Sequence, residues 1–213
     1  MSIHHHPGEE LLLNYASGAA NEAVSLLVAT HLVACADCRA TVARAEAAGG
    51  TLLAGIAPVA VSQRAYDSVL ARLDEPAAAI VRSAKLTGDV PPPLRPYIGD
   101  SFDAVPWRHI TGKLAHYPLV TRDGTRARLI RAAPGAGVAT HSHRGEEWTL
   151  VLTGSFHDET GTYAAGDVQS TTPEVKHRPT ADPGPVCINL AVTDAPLVFD
   201  GWLPKIVGKL FGF

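Results

Sequence analysis

The sequence predicts a two-part, multidomain α + β protein: a small N-terminal four-helix unit followed by a C-terminal antiparallel β-barrel. Three observations predict it. Residues 9–75 read as helices, residues 127–202 hold β-rich runs of period two, and between them stand Pro91, Pro92, Pro93 and Pro96. Prolines so clustered favour extended polyproline geometry and cannot continue a helix, so they mark a boundary. The division is drawn as residues 1–85, a Pro-rich linker over 86–96, and residues 97–213. A chain of 213 residues holds enough apolar side chains for two small cores.

The helical half is read from caps and stops. A first helix runs from Glu9 to Ser17 and ends at Gly18. Asn21 can cap a second, which extends to Ala34, and a third runs from about Asp37 to a stop at Gly49-Gly50. A fourth begins at Ser62, after a loop over Ala54 to Val61. In it Tyr66, Val69, Leu70 and Leu73 recur at i, i+3, i+4 and i+7, one apolar stripe on an otherwise polar helix. That stripe either packs on the other three helices or is offered to a partner protein.

The strongest local signal is His31-Leu-Val-Ala-Cys35-Ala-Asp-Cys38, about twenty-five residues after His4-His5-His6. Two thiols and two imidazoles form the tetrahedral set that zinc prefers, and a closed His2Cys2 set is typical of structural metal. His31 falls in the last turn of the second helix, with Cys35 one turn further on the same face. Cys38 opens the next helix, where free N–H groups favour a thiolate. A redox CxxC of the thioredoxin kind would sit beside a βαβ pattern, which is absent here. Spacing leaves open which of His4, His5 and His6 completes the set, and a histidine triplet can also be the remnant of a tag.

The β half has runs at Ala127–Ala132, Trp148–Thr153, Val186–Val192 and Leu197–Trp202, separated by Gly, Pro and Asp turns. Within it lies Gly135-(x5)-His141-Ser-His143-(x3)-Glu147-(x6)-Gly154, then Gly166-Asp167 and His177. In a strand His141 and His143 share a face, Glu147 reaches them from the next part of the strand, and His177 closes the set from a neighbouring strand. Three imidazoles and one carboxylate suit Zn, Mn, Fe or Ni and leave coordination positions open. Glu146 is read as solvent-facing or supporting. His109, His116 and His157 fit no ligand spacing and read as surface or packing residues. Cys187 alternates with apolar neighbours as an inert buried thiol, and the apolar stretch from Pro196 to Phe213 is expected to cover the barrel.

Composition excludes several classes. Residues 1–85 carry eight Asp/Glu and six Lys/Arg of the chain's 21 and 18, so neither half has the basic excess of a nucleic-acid binder, and direct nucleic-acid binding is not expected. No run approaches the roughly 18 apolar residues of a membrane span, and the N-terminus does not read as a signal peptide. Three unevenly spaced cysteines are no disulfide framework, which points to a reducing, cytoplasmic compartment.

Two resemblances sharpen this reading. The Gly135 to Gly154 string is similar to the first cupin motif at every required position, and Gly166-Asp167 with His177 resembles the core of the second, across roughly residues 105–200. Residues 12–18 (Leu-Leu-Asn-Tyr-Ala-Ser-Gly), Val28-Ala-Thr-His31-Leu and Cys35-x-x-Cys38 resemble a zinc-binding anti-sigma domain. Together they resemble the ChrR family of anti-sigma factors. The resemblance implies that the helical domain binds an extracytoplasmic-function sigma factor and hides its RNA polymerase contacts. It implies a zinc set of His6, His31, Cys35 and Cys38, and a cupin set of His141, His143, Glu147 and His177 holding zinc or another divalent transition metal. It further implies a cupin half that responds to singlet oxygen or organic hydroperoxides, with no catalytic residues and no turnover. The alternative is a metal-dependent, dioxygenase-like cupin enzyme with an accessory zinc domain.

Overall fold

The structure, a computed structural model, describes residues 3–73, 88–123 and 125–200. Four helices open the chain: α1 (Glu9–Ala16), α2 (Glu22–Ala34), α3 (Ala36–Ala54) and α4 (Gln63–Leu73). The caps act as read from the sequence. Asn21 Oδ1 accepts the Val24 N–H at 2.9 Å, a cap of about 1 kcal/mol. Cys35 ends α2 and caps α3, its Sγ accepting the Cys38 N–H at 3.5 Å.

Two expectations are corrected. Gly49 and Gly50 do not stop α3. Both are exposed in the middle of the helix, where a glycine costs about 1 kcal/mol against alanine without breaking the turn, and the last carbonyls are met instead by the Gly55 N–H. The proline cluster is not extended: Pro92–Leu94 forms a 3-10 turn leading into α5 (Arg95–Ile98), with Pro96 in its first turn, where the missing N–H costs nothing. Leu94 and Val90 are buried, and this segment packs against α2. The tail beyond residue 200, including Trp202 of the last expected strand, lies outside the described residues.

The β half has strands β1 (Arg108–His109), β2 (Leu114–Leu119), β3 (Arg126–Ala132), β4 (His141–His143), β5 (Glu147–Thr153), β6 (Ser155–Asp158), β7 (Gly161–Ala164), β8 (Val168–Thr171), β9 (Thr180–Ala181), β10 (Cys187–Thr193) and β11 (Leu197–Phe199). Three antiparallel sheets result, in the orders β1-β2-β3-β10-β5-β8, β11-β4 and β7-β6-β9. Because side chains alternate, the large sheet feeds two cores. Leu129, Leu150 and Leu190 point outward and join one cluster with Leu12, Leu27 and Val28 of the helices. Ala132, Val151 and Cys187 point inward and pack with Phe156 and Tyr163. One face of the large sheet is thus covered by α1 and α2, and its other face lines the barrel.

Polar contacts fasten the same junction. Glu22, at the start of α2, accepts the Tyr97 O–H at 2.6 Å and the Arg122 N–H, while its own N–H donates to Asp123 at 2.8 Å. By contrast α4 buries nothing: Tyr66, Val69, Leu70 and Leu73 are 43–71 % exposed. Of the two fates open to the stripe, packing on the other three helices is not the one taken.

Candidate metal centres

The first cluster forms where α2 hands over to α3. His31 in the last turn of α2, Cys35 at the corner and Cys38 in the first turn of α3 converge, and His6 arrives from the segment preceding α1. The four ligand atoms lie within 4.8 Å of one another. His6 Nδ1 stands 3.4 Å from both Cys35 Sγ and Cys38 Sγ, against about 3.6 Å between N and S ligands of a tetrahedral zinc. Of the three candidate histidines, His6 takes this place. The His4 and His5 backbones are engaged elsewhere, and the His5 ring packs on Tyr163.

The donor set fits a metal on its own chemistry. His31 Nδ1 donates to the Gly166 carbonyl at 2.9 Å, which leaves Nε2 as a buried lone pair with no partner in the protein. Burial, with Cys35 adjacent, pushes the Cys38 thiol up to about 12, and burial lowers His31. A divalent cation reverses that penalty, since it stabilises thiolate and neutral imidazole together. His6, His31, Cys35 and Cys38 would hold such an ion and fasten three separate chain segments.

The second cluster lies inside the barrel. His141 and His143 project from the same face of β4, as period two requires, and Glu147, His143 and His177 are 6 % exposed or less. His177 is fixed by a backbone bridge to His141, 3.0 and 3.1 Å in its two hydrogen bonds. One detail differs from expectation. Glu147 is not a continuation of the same strand, because the chain leaves β4, turns at Gly145 and enters the large sheet at β5. The Asp194 carboxylate holds that turn by accepting the Glu146 N–H at 2.8 Å, and a side chain at Gly145 would collide with it. Glu146 faces solvent.

His177 Nε2 is 3.2 Å from His141 Nε2 and 3.1 Å from His143 Nε2, and Glu147 Oε2 is 3.7 Å from His143 Nε2. The Nδ1 atoms of His141 and His177 are spent on the Ala139 carbonyl and on Asp158, so their Nε2 atoms meet lone pair to lone pair. Such an arrangement repels unless a cation sits between. Burial drives the same way, holding His141 at about 3 and His143 at about 4 while raising Glu147 to about 7. His141, His143, Glu147 and His177 would hold one metal ion. Beside them lies a small, mainly apolar cavity of about 40 Å³, lined by Leu114, Ile130, Val138, Phe156, Cys187 and Leu197 among others.

The spacing rules did not reach Asp158 and Gln169. Asp158 Oδ2 accepts from His177 Nδ1 and Gln169 Nε2, each at 2.7 Å, and both the Asp158 and His177 side chains are fully buried. Burial alone would raise the Asp158 carboxyl; hydrogen bonds from His177, Thr160 and Gln169 outweigh it and hold it below the usual range. The remaining histidines have other duties. His109 is exposed, His116 is buried in the β2 strand, and the half-exposed His157 pairs with Asp182 at 2.5 Å. Cys187 is buried, raised to about 12 by desolvation.

Comparison with known proteins agrees with this architecture over its whole length. Residues 98–195 match the ChrR cupin-like domain family. The anti-sigma-E factor ChrR of Cereibacter sphaeroides is 42 % identical over 211 residues, which span 99 % of each chain. The chain belongs to the ChrR family of anti-sigma factors. A crystal structure of Rhodobacter sphaeroides SigE in complex with the anti-sigma ChrR superposes on this ChrR-family chain with a TM-score of 0.81, at 41 % identity, covering 91 % of this chain and all of that one.

Proposed function

We propose that this chain binds an extracytoplasmic-function sigma factor through its helical half, withholding it from RNA polymerase, and releases it when the cupin half meets an oxidant such as singlet oxygen or an organic hydroperoxide. The observation that carries this reading is the whole-length likeness to a relative solved with its sigma factor bound. The exposed stripe of α4 supports it. Four apolar side chains on one face of a helix that buries none of them suit a partner helix or groove.

The division of labour follows residues 1–85 for sigma binding, 86–96 as connection and 97–213 as sensor. Zinc is assigned to His6, His31, Cys35 and Cys38 from its preference for a tetrahedral thiolate–imidazole set. The all-buried set of three histidines and Glu147 takes zinc or another divalent transition metal. The protein works by association and has no turnover to perform. Its compartment is the cytoplasm, where RNA polymerase is found. Among the described residues no helix is long and apolar enough to cross a membrane.

A transcription reporter for the cognate sigma factor tests the reading. Co-expression of the chain is expected to silence the reporter, and oxidant to restore it. A folded, metal-loaded chain that leaves the reporter active contradicts the proposal.

A further inference from the structure

The two clusters are joined by one short piece of the barrel. Between β7 and β8 the chain turns through Ala165, Gly166 and Asp167. The Gly166 carbonyl accepts from His31 Nδ1 at 2.9 Å and so orients that ring. The Asp167 carboxylate accepts the His4 and His5 N–H groups at 2.7 and 2.9 Å, and the Ala164 N–H at 2.9 Å, while the Val168 N–H donates to the His5 carbonyl at 3.0 Å. The segment that delivers His6 is therefore pinned to the barrel immediately before the ligand. Two of the four donors of the thiol-containing cluster are held by this turn. Only glycine permits the approach: Gly166 has φ +97°, and a Cβ there would stand 2.8 Å from Ile3.

The same strand reaches the second cluster. Gln169, two residues beyond Asp167 on β8, points into the barrel and donates to Asp158, which in turn accepts from His177 Nδ1. Asp158 also receives the Thr160 N–H at 2.7 Å. The second ring nitrogen of His31 is thus held by Gly166, and that of His177 by Asp158, which is braced by Gln169 three residues beyond Gly166. Partners of this kind set ring orientation and commonly change metal affinity 10- to 100-fold when removed.

We propose that the β7–β8 turn is the mechanical link between the two metal centres: Asp167 and Gly166 position His6 and His31, Gln169 and Asp158 position His177, and displacement at the barrel centre loosens the thiol-containing centre through this strap. The proposal rests on reading both clusters as metal centres. Asp167, Asp158 and Gln169 act through the ligands and are positioning residues.

Cobalt tests it in the full-length chain. With Co²⁺ in both clusters, thiolate-to-cobalt charge-transfer absorption arises from the Cys35/Cys38 centre alone, and its decay under a chelator times the loosening of that centre. Asp167→Ala is expected to speed the decay about 10-fold, and the milder Asp167→Asn by less. Asp158→Asn and Gln169→Met, which touch neither cysteine nor the helices, are expected to speed it as well. Asp182→Asn serves as the control. It removes the charge and one of the two acceptor oxygens that meet Ser155 and His157, in the same barrel but off the strap, and is expected to decay at the wild-type rate. Unchanged decay in the Asp158 and Gln169 variants overturns the proposal, as does equal acceleration by Asp182→Asn. If Asp158→Asn fails to fold, Gln169→Met decides. The readout needs no sigma factor, so it can fail while the anti-sigma reading stands, and succeed if that reading falls.

Discussion

The two candidate metal centres hold their four ligands together by different means. In the helical half the ligands come from three segments, one of them an exposed histidine before the first helix, which are brought together by hydrogen bonds to the β7–β8 turn and would be joined directly only by the metal. In the barrel the ligands stand on β4, on β5 and on a backbone bridge, inside sheets whose hydrogen bonds set their positions in advance. A centre that ties separate segments together governs whatever surface those segments present. A centre built into a preformed barrel can change occupancy or ligand chemistry without loss of the surrounding structure, which is what a sensor needs.

The largest effect should come from removing a thiol. Cys35→Ser or Cys38→Ser is expected to abolish sigma binding and much of the N-terminal helicity, because structural zinc contributes about 10–16 kcal/mol of apparent folding free energy in small metal-folded units. Metal content with circular dichroism checks it, and a mutant that still represses at normal protein level breaks the contrast. Next is the exposed stripe. Val69→Asp with Leu70→Asp should weaken sigma binding at least about 10-fold, since each places a charge in an apolar contact, yet leave the melting temperature almost unchanged because neither residue is buried. Calorimetric binding and melting curves on the same samples separate the two.

The barrel ligands should behave differently. His141→Ala or Glu147→Ala is expected to keep the sigma complex intact and to blunt induction by oxidant. An unchanged induction curve would remove the sensory role from this centre. A smaller effect concerns pH. In the metal-free chain His141 and His143 titrate at about 3 and about 4, below the unfolded value near 6.5, so acidification protonates the unfolded chain first and stability falls from pH 6.5 towards 4. Glu147, raised to about 7, works against them between pH 4.5 and 7. Two groups outweigh one, and melting temperature should decline modestly across that window. Bound metal should raise the curve and steepen its fall below pH 6.5, because it keeps Glu147 ionised and protons must displace it from its ligands.

How much of this was legible depended on whether a constraint was local. His31, Cys35 and Cys38 share one helix corner and His141 and His143 one strand face, so spacing alone brought them together. Glu147 and His177 were found by ligand type, while the turn at Gly145 that separates β4 from β5 was invisible, because its cause is Asp194, 49 residues further on. The Gly49-Gly50 stop failed for an opposite reason: glycine weakens a helix but does not end it when nothing else requires a turn. The prolines failed likewise, since Leu94 and Val90 had a core to enter and the chain folded to let them. Asp158 was out of reach because a carboxylate at the end of a short strand reads as an ordinary surface residue until its partner His177 is seen.

The central claim is that a metal-folded helical half, and not the barrel, binds the sigma factor. The most direct test is affinity capture from native-host extract with the full-length chain, metal-loaded or stripped by chelator, read by mass spectrometry beside its metal content. Recovery of an extracytoplasmic-function sigma factor by the loaded chain, lost when zinc leaves the Cys35/Cys38 centre while the barrel stays folded, is the predicted result. Equal recovery after zinc removal, or none by the loaded and folded chain, would contradict it.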